Sequence, residues 1–166
     1  MKSKIRNLKT DYARRAVMFE HLARMNIRKR RKNNFIFNTR NFDDLSQLAV
    51  KYRLDIAPLD IEIIDFLQRN FHSVDLIEMD LSDLNQRIVK NVVLYEVKTK
   101  NHSNNSKLNL AFSSYNAYDF MKRKGVTVNL ASFELYDNWK YKFSLEELNL
   151  DNFKKYTRFK QNPFGK

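Results

Sequence analysis

The sequence predicts a mixed α/β domain, of the α+β kind, that carries a basic helical extension at its N-terminus. Apolar residues recur with helical spacing in the first part of the chain, and from residue 74 they alternate with the two-residue period of a strand. Strand patterns over 74–81, 88–99 and 126–136 bracket a helical pattern over 108–124. The predicted order in this part of the chain is therefore strand, strand, helix, strand.

Composition predicts one domain that binds a polyanion. The chain has 166 residues, a net charge of +12 and no cysteine, which excludes disulfides and thiolate metal sites and favours a cytoplasmic, intracellular setting without a membrane span. Residues 1–40 carry a net charge of +11, residues 41–98 of −5 and residues 99–166 of +6. Acidic residues in the middle of a basic protein suit a phosphate-binding surface that also holds a metal ion.

The N-terminal part, 1–56, is predicted to be helical. A helix over 11–32 has an apolar stripe that includes Val17, Leu22 and Met25, and it ends in five consecutive basic residues. This basic run is either a solvated helix end or an arm that contacts phosphates. Two further helices are predicted over 42–52 and 58–70. The acidic character of the third disfavours a sequence-reading helix-turn-helix.

The remaining elements form the predicted core, 57–150, and a basic aromatic tail, 151–166. The strands over 74–81 and 88–99 are expected to pair antiparallel, and Gly125 ends the helix over 108–124. The strand over 126–136 is expected to continue through a hairpin into 139–143. Ser144 and Glu147 have the spacing of a capping box and predict a short helix.

An acid and a base lie close together at the end of the apolar strand 88–99. Glu96 and Lys98 are two residues apart, so they point to the same face of the strand. An antiparallel hairpin would bring Asp75, at the start of the preceding strand, beside them. Glu78 and Asp80 remain alternatives to Asp75, because the register of the hairpin is not fixed by the sequence. An edge-strand ion pair is the simpler interpretation of the Glu96–Lys98 pair.

Two carboxylates at one end of a sheet are suitable ligands for Mg²⁺ or Mn²⁺. Asp75, Glu96 and the backbone carbonyl of Val97 are the predicted metal ligands. Such an ion would neutralise charge on a phosphodiester, and Lys98 would orient the attacking water or stabilise the developing charge. The three histidines are scattered and lack the spacing of metal ligands, and the two glycines cannot form a glycine-rich phosphate loop.

Asp75 followed by Glu96-Val97-Lys98 resembles the motif of the PD-(D/E)xK nuclease superfamily, which includes restriction endonucleases, RecB-type nucleases and archaeal Holliday-junction resolvases. The resemblance covers about 58–136 and implies a restriction-endonuclease-like mixed sheet flanked by helices, with metal-dependent cleavage of DNA. It also suggests Glu62 as the helical acid that contacts the metal through water. Val74 replaces the proline of the motif, and no glutamine precedes Tyr115 or Tyr118 in a RecB-type Gln-x-x-x-Tyr pattern.

The leading hypothesis is therefore a Mg²⁺- or Mn²⁺-dependent deoxyribonuclease, an endonuclease-type hydrolase with Asp75, Glu96, Lys98 and Glu62 as its catalytic set. A homodimer fits this activity, since cutting both strands of a duplex commonly uses two sites. The residues predicted to bind nucleic acid are basic: Arg14, Arg15, Arg28, Lys29, Arg30, Arg31, Lys32, Lys122, Arg123 and Lys124. The alternatives are a non-catalytic DNA-binding regulator that uses the N-terminal helices, and a protein that acts on RNA.

Overall fold

The computed structural model describes residues 2–30, 34–103, 108–136 and 140–156. The described chain is a mixed α+β fold, which confirms the predicted class. Its helices are α1 (Lys2–Arg30), α2 (Leu45–Tyr52), α3 (Ile61–Asn70) and α4 (Phe112–Arg123). Its strands are β1 (Phe35–Asn38), β2 (Leu76–Asp83), β3 (Ile88–Asn101), β4 (Leu108–Ala111), β5 (Thr127–Leu135), β6 (Tyr141–Glu147) and β7 (Phe153–Tyr156).

The central sheet has five strands in the order β1-β2-β3-β5-β6. Strands β1, β2 and β3 pair antiparallel, β3 and β5 pair parallel, and β5 and β6 pair antiparallel. The parallel pair is joined through α4, as a parallel connection requires a crossover. Strands β4 and β7 form a separate two-stranded parallel sheet. Because β3 and β5 run in the same direction, their C-terminal ends lie at the same end of the central sheet.

The sheet is buried on both faces, because alternate residues of its strands enter two apolar clusters. Tyr95 on β3 belongs to the cluster that contains Phe19, Ala23 and Ile27 of α1. Its neighbour Leu94 belongs to the larger cluster, which includes residues of α2, α3 and α4. This alternation is the period of two expected for a strand. Helix α1 therefore covers one face, and the other three helices cover the opposite face.

The N-terminal part is integrated with the core, which corrects its description as a helical extension. Helix α1 packs on the sheet, and β1, which lies within 1–56, pairs with β2 from Phe35↔Met79 to Asn38↔Leu76. The predicted boundary at residue 56 therefore does not separate two cores. None of the helices in the described residues is both long and apolar enough to cross a membrane.

Other predicted elements are partly confirmed. The antiparallel pair β2–β3 and the hairpin β5–β6 are present. The helix predicted over 108–124 begins only at Phe112, because the preceding residues form β4 against β7. The capping-box helix is wrong: Ser144 and Glu147 lie in β6, where pairing with β5 outweighs the local preference. The tail beyond residue 156 lies outside the described residues.

We expect Phe19→Ala to destabilise the whole domain, since Phe19 is 8% exposed and its ring lies 5.0 Å from that of Phe133. The loss should be about 3–5 kcal/mol of unfolding free energy, the usual cost of removing a buried aromatic ring. The matched control is Val17→Ala on the same helix, where the side chain is 49% exposed and the change should stay within about 0.5 kcal/mol. Urea unfolding measures both. Equal stabilities of the two variants would contradict the packing of α1 on the sheet.

Candidate active site

The start of β2 pairs with β3 and brings Asp75 next to Glu96. Leu76, the first residue of β2, pairs with Tyr95 of β3, so the residue before Leu76 lies beside the residue after Tyr95. The backbone N–H of Val97 donates a hydrogen bond of 2.8 Å to Asp75 Oδ2. The register that the sequence left open therefore favours Asp75.

The two alternative acids of β2 lie elsewhere. Glu78 pairs in register with Val93, is fully buried, and accepts hydrogen bonds from the Tyr95 hydroxyl and the Asn34 side chain. Asp80 pairs with Asn91 and forms an ion pair of 3.4 Å with Lys90. Both acids are thus engaged along the strand, away from Glu96.

Glu96 is held by two side chains in an almost fully buried position. Its residue exposure is 3%. Lys98 Nζ lies 2.5 Å from Glu96 Oε1, and the Tyr118 hydroxyl donates a hydrogen bond of 2.6 Å to Glu96 Oε2. Lys98 is itself mostly buried, so the pair is not an ordinary surface ion pair. Tyr118 reaches Glu96 because α4 covers this face of the sheet.

The electrostatics of this end of the sheet are dominated by negative charge. Desolvation and the nearby charge of Glu96 raise the pKa of Asp75 well above its usual value, and Glu20 adds to this effect. The Val97 N–H and the charge of Lys98 oppose the increase. Desolvation, followed by the charges of Glu96 and Asp75, likewise raises the pKa of Tyr118. Several acidic groups are therefore held close together with incomplete compensation by cations.

Glu20 is a residue of this site that the sequence interpretation missed. It lies on α1, is buried, and influences the pKa of Asp75. Asn38 Nδ2 donates a 2.7 Å hydrogen bond to one carboxylate oxygen, and Arg40 Nε donates a 2.9 Å hydrogen bond to the other. One signal was available: Glu20 and Asp11 are the only acids among residues 1–40.

Glu62 does not join this cluster, which corrects its prediction as the helical acid. It lies in the first turn of α3, and its carboxylate forms an ion pair with Lys124. Lys124 directly follows α4 and precedes β5, so it lies near the opposite end of the sheet from Lys98. The helix that supplies an acid to the site is α1, through Glu20.

Asp75 and Glu96 are the two carboxylates of this site that could hold a small, hard cation. Among the described residues, no group of three or more His, Asp or Glu side chains is arranged to hold a metal ion. However, Mg²⁺ in phosphate-processing sites commonly uses only one or two protein carboxylates together with water and substrate phosphate. Asp75 and Glu96 provide two such carboxylates, and their mutual repulsion is what a cation would relieve. The carbonyl of Val97 remains a predicted third ligand.

The predicted nucleic-acid-binding residues divide into two groups. Arg14, Arg15 and the last turn of α1, Arg28–Arg30, are exposed. The cations at the end of α4 are each paired with an acid, which lowers their availability for phosphate: Lys122 with Glu147, Arg123 with Asp119, and Lys124 with Glu62. Arg31 and Lys32 lie outside the described residues.

Comparison with known proteins adds no family: no protein-family model, no curated protein and no solved structure matches this chain. The geometry of the site is therefore the basis for inferring its function.

We expect Asp75→Asn to stabilise the metal-free protein at neutral pH. Because the pKa of Asp75 is raised, the folded state retains a proton that the unfolded chain releases, so stability falls as the pH rises above the usual aspartate pKa. The variant removes this penalty, and each kcal/mol relieved raises Tm by about 2–4 °C. Calorimetry in EDTA should show the gain at pH 7 and its disappearance below the usual aspartate pKa. Asp80→Asn is the control, and an unchanged or lower Tm for Asp75→Asn at pH 7 would contradict the expected repulsion.

We expect Tyr118→Phe to destabilise the protein by about 1–3 kcal/mol, because it leaves the buried Glu96 oxygen without its hydroxyl donor. Tyr141→Phe is the matched control, since Tyr141 is exposed. Chemical unfolding measures both variants. Equal effects would show that the hydroxyl of Tyr118 is not needed to hold Glu96.

Proposed function

We propose that this protein is a metal-dependent nuclease that hydrolyses phosphodiester bonds of DNA. The observation that carries the proposal is the convergence of Asp75, Glu96 and Lys98 at one end of the sheet, within a chain of net charge +12. An acid pair with one buried and one half-buried member beside a lysine is costly for stability, and such arrangements are more common at functional sites than elsewhere.

The arrangement of the elements supports a restriction-endonuclease-like core. Helix α1 precedes β1, and α2 and α3 separate β1 from the antiparallel pair β2–β3. The crossover through β4 and α4 then leads to β5, which is parallel to β3. This gives the mixed sheet flanked by helices that the resemblance to PD-(D/E)xK nucleases implies. Asp75, directly before β2, and the Glu96–Lys98 pair of β3 lie on adjacent strands of this sheet, which is consistent with that motif.

Each side chain of the site has a role in this proposal. Asp75 and Glu96 hold Mg²⁺ or Mn²⁺, which supplies positive charge against the phosphodiester and makes a nearby water more acidic. Lys98, within 2.5 Å of Glu96 Oε1, orients the attacking water or stabilises the developing charge. Tyr118 and the Val97 N–H fix the two carboxylates in position.

The exposed cations of α1 provide the surface that tracks the DNA backbone. Arg14 and Arg15 lie near one end of the described side chains of the helix and Arg28–Arg30 at its C-terminal end. A second copy of the chain would supply the second site needed to cut both strands of a duplex.

The test is cleavage of linear, single-stranded and branched DNA, with RNA as a comparison, in Mg²⁺ or Mn²⁺. We expect wild type to cut DNA, EDTA to abolish cutting, and Asp75→Ala, Glu96→Ala and Lys98→Ala each to lose about 100-fold or more in rate, the loss typical of removing an electrostatic catalytic group. The control is Lys90→Ala, which removes a cation from an ion pair with Asp80 elsewhere on the sheet. An inert wild type, or variants at Asp75, Glu96 and Lys98 that cut as well as wild type, would contradict the proposal.

A non-catalytic DNA-binding protein is the second candidate, favoured by the exposed cations of α1 alone. It predicts salt-dependent binding that EDTA and Glu96→Ala leave unchanged, without cleavage. Preferential binding or cutting of RNA in the same experiments would identify RNA as the substrate instead.

A further inference from the structure

The short turn that follows β1 lies against the candidate active site. Thr39–Asn41 form one turn of 3-10 helix, capped by the side chain of Asn38. Thr39 N–H donates a 3.2 Å hydrogen bond to the carbonyl of Asp75, and the Thr39 hydroxyl donates to the carbonyl of Val74, the residue before it. The backbone of Arg40, the next residue, is therefore fixed beside Asp75.

The guanidinium of Arg40 is oriented by a buried acid. Its Nε and one terminal nitrogen lie 2.9 Å and 2.8 Å from the same oxygen of Glu20, while Asn38 donates to the other oxygen. Glu20 is 2% exposed, whereas the Arg40 side chain is 51% exposed. Arg40 thus has one edge fixed against the protein and a substantial part open to solvent.

Neutralisation of Glu20 does not use all the donors of Arg40. A guanidinium has five N–H groups in a planar fork, and the two contacts to Glu20 use only its Nε and one terminal nitrogen. Among the described residues, no hydrogen bond or ion pair involves the other terminal nitrogen. A fork of this kind matches a phosphate better than a single ammonium does.

The charge of the site gives a reason for such a cation. Glu96 and Glu20 lie close enough to Asp75 to raise its pKa, and Lys98 forms an ion pair with Glu96. A nucleic acid phosphate approaching these acids is repelled unless a cation at the same end of the sheet compensates for them. Arg40 is a half-exposed cation at this end of the sheet. Its backbone is held by the hydrogen bond of Thr39 to Asp75, and its guanidinium is held by Glu20.

We propose that Arg40 binds a backbone phosphate of the nucleic acid beside the phosphodiester that is cut, and that Glu20 acts as the positioning residue for its guanidinium. This inference rests on the proposed nuclease function for the location of the cut, but the phosphate contact itself can be measured without cleavage. It assigns a role to a residue outside the motif Asp75 and Glu96-Val97-Lys98.

The experiment measures binding of the full chain to a duplex DNA oligonucleotide in EDTA, over a series of salt concentrations. We expect Arg40→Gln to weaken binding and to reduce the slope of log K against log salt by about 0.9, the value for one phosphate contact on B-DNA. Arg40→Lys should retain the slope, because it keeps the charge, but should bind less tightly because it lacks the fork. The matched control is Lys90→Gln, since Lys90 is 55% exposed and also paired with an acid.

Arg40→Gln leaves the buried Glu20 without its cation, and this variant could therefore fail to fold. In that case the double variant Glu20→Gln/Arg40→Gln replaces it, because two neutral side chains can still hydrogen-bond to each other. An unchanged slope in this double variant, or an equal decrease in Lys90→Gln, would overturn the phosphate contact.

The same variants separate this inference from the proposed function. If wild type cuts DNA while Arg40→Gln and Arg40→Lys bind and cut as wild type does, the phosphate contact is wrong and the nuclease stands. If wild type cuts nothing but Arg40→Gln alone lowers the salt slope, the phosphate contact stands and the nuclease is wrong.

Discussion

The antiparallel pairing of Leu76 with Tyr95 is the constraint on which the candidate site depends. It places the Asp75 carboxylate within hydrogen-bonding distance of the Val97 N–H, beside Glu96. A slip of one residue would turn the side chains of β2 to the opposite face of the sheet and would separate the two carboxylates. The apolar residues that alternate between the two clusters make such a slip unfavourable, so core packing also fixes the geometry of the site.

The acidic cluster is maintained against its own repulsion by contacts from several elements. The Val97 N–H, Lys98 and Tyr118 hold Asp75 and Glu96, while Asn38 and Arg40 hold Glu20. These partners come from β3, from α4, and from the end of β1 with the turn that follows it. Such repulsion lowers the stability of the fold, and it is expected at a site that is retained for its function.

Local patterns predicted the strands, and long-range contacts decided the rest. Alternation identified β2 and β3 and placed Glu96 and Lys98 on one face, since both follow from the period of a strand. The register was not predictable, because Asp75, Glu78 and Asp80 have similar surroundings in the sequence. Glu62 was predicted as the helical acid, and Glu20 was not considered. Glu20 is 55 positions before Asp75, and only the packing of α1 on the sheet brings them together. Ser144 and Glu147 show that β pairing can override a capping signal.

Helix α1 links the basic and acidic parts of the molecule physically. One face, with Phe19, Ala23 and Ile27, packs on the sheet, and Glu20, adjacent to Phe19, extends the acidic cluster. Basic residues before and after this segment are exposed, so positive charge flanks the same helix that supplies the third acid. The sequence separates its charges, with +11 over residues 1–40 and −5 over 41–98. In the fold, the basic helix α1 instead lies next to the acidic residues of the site. A polyanion bound by the exposed cations of α1 would therefore lie on the same helix that brings Glu20 close to Asp75.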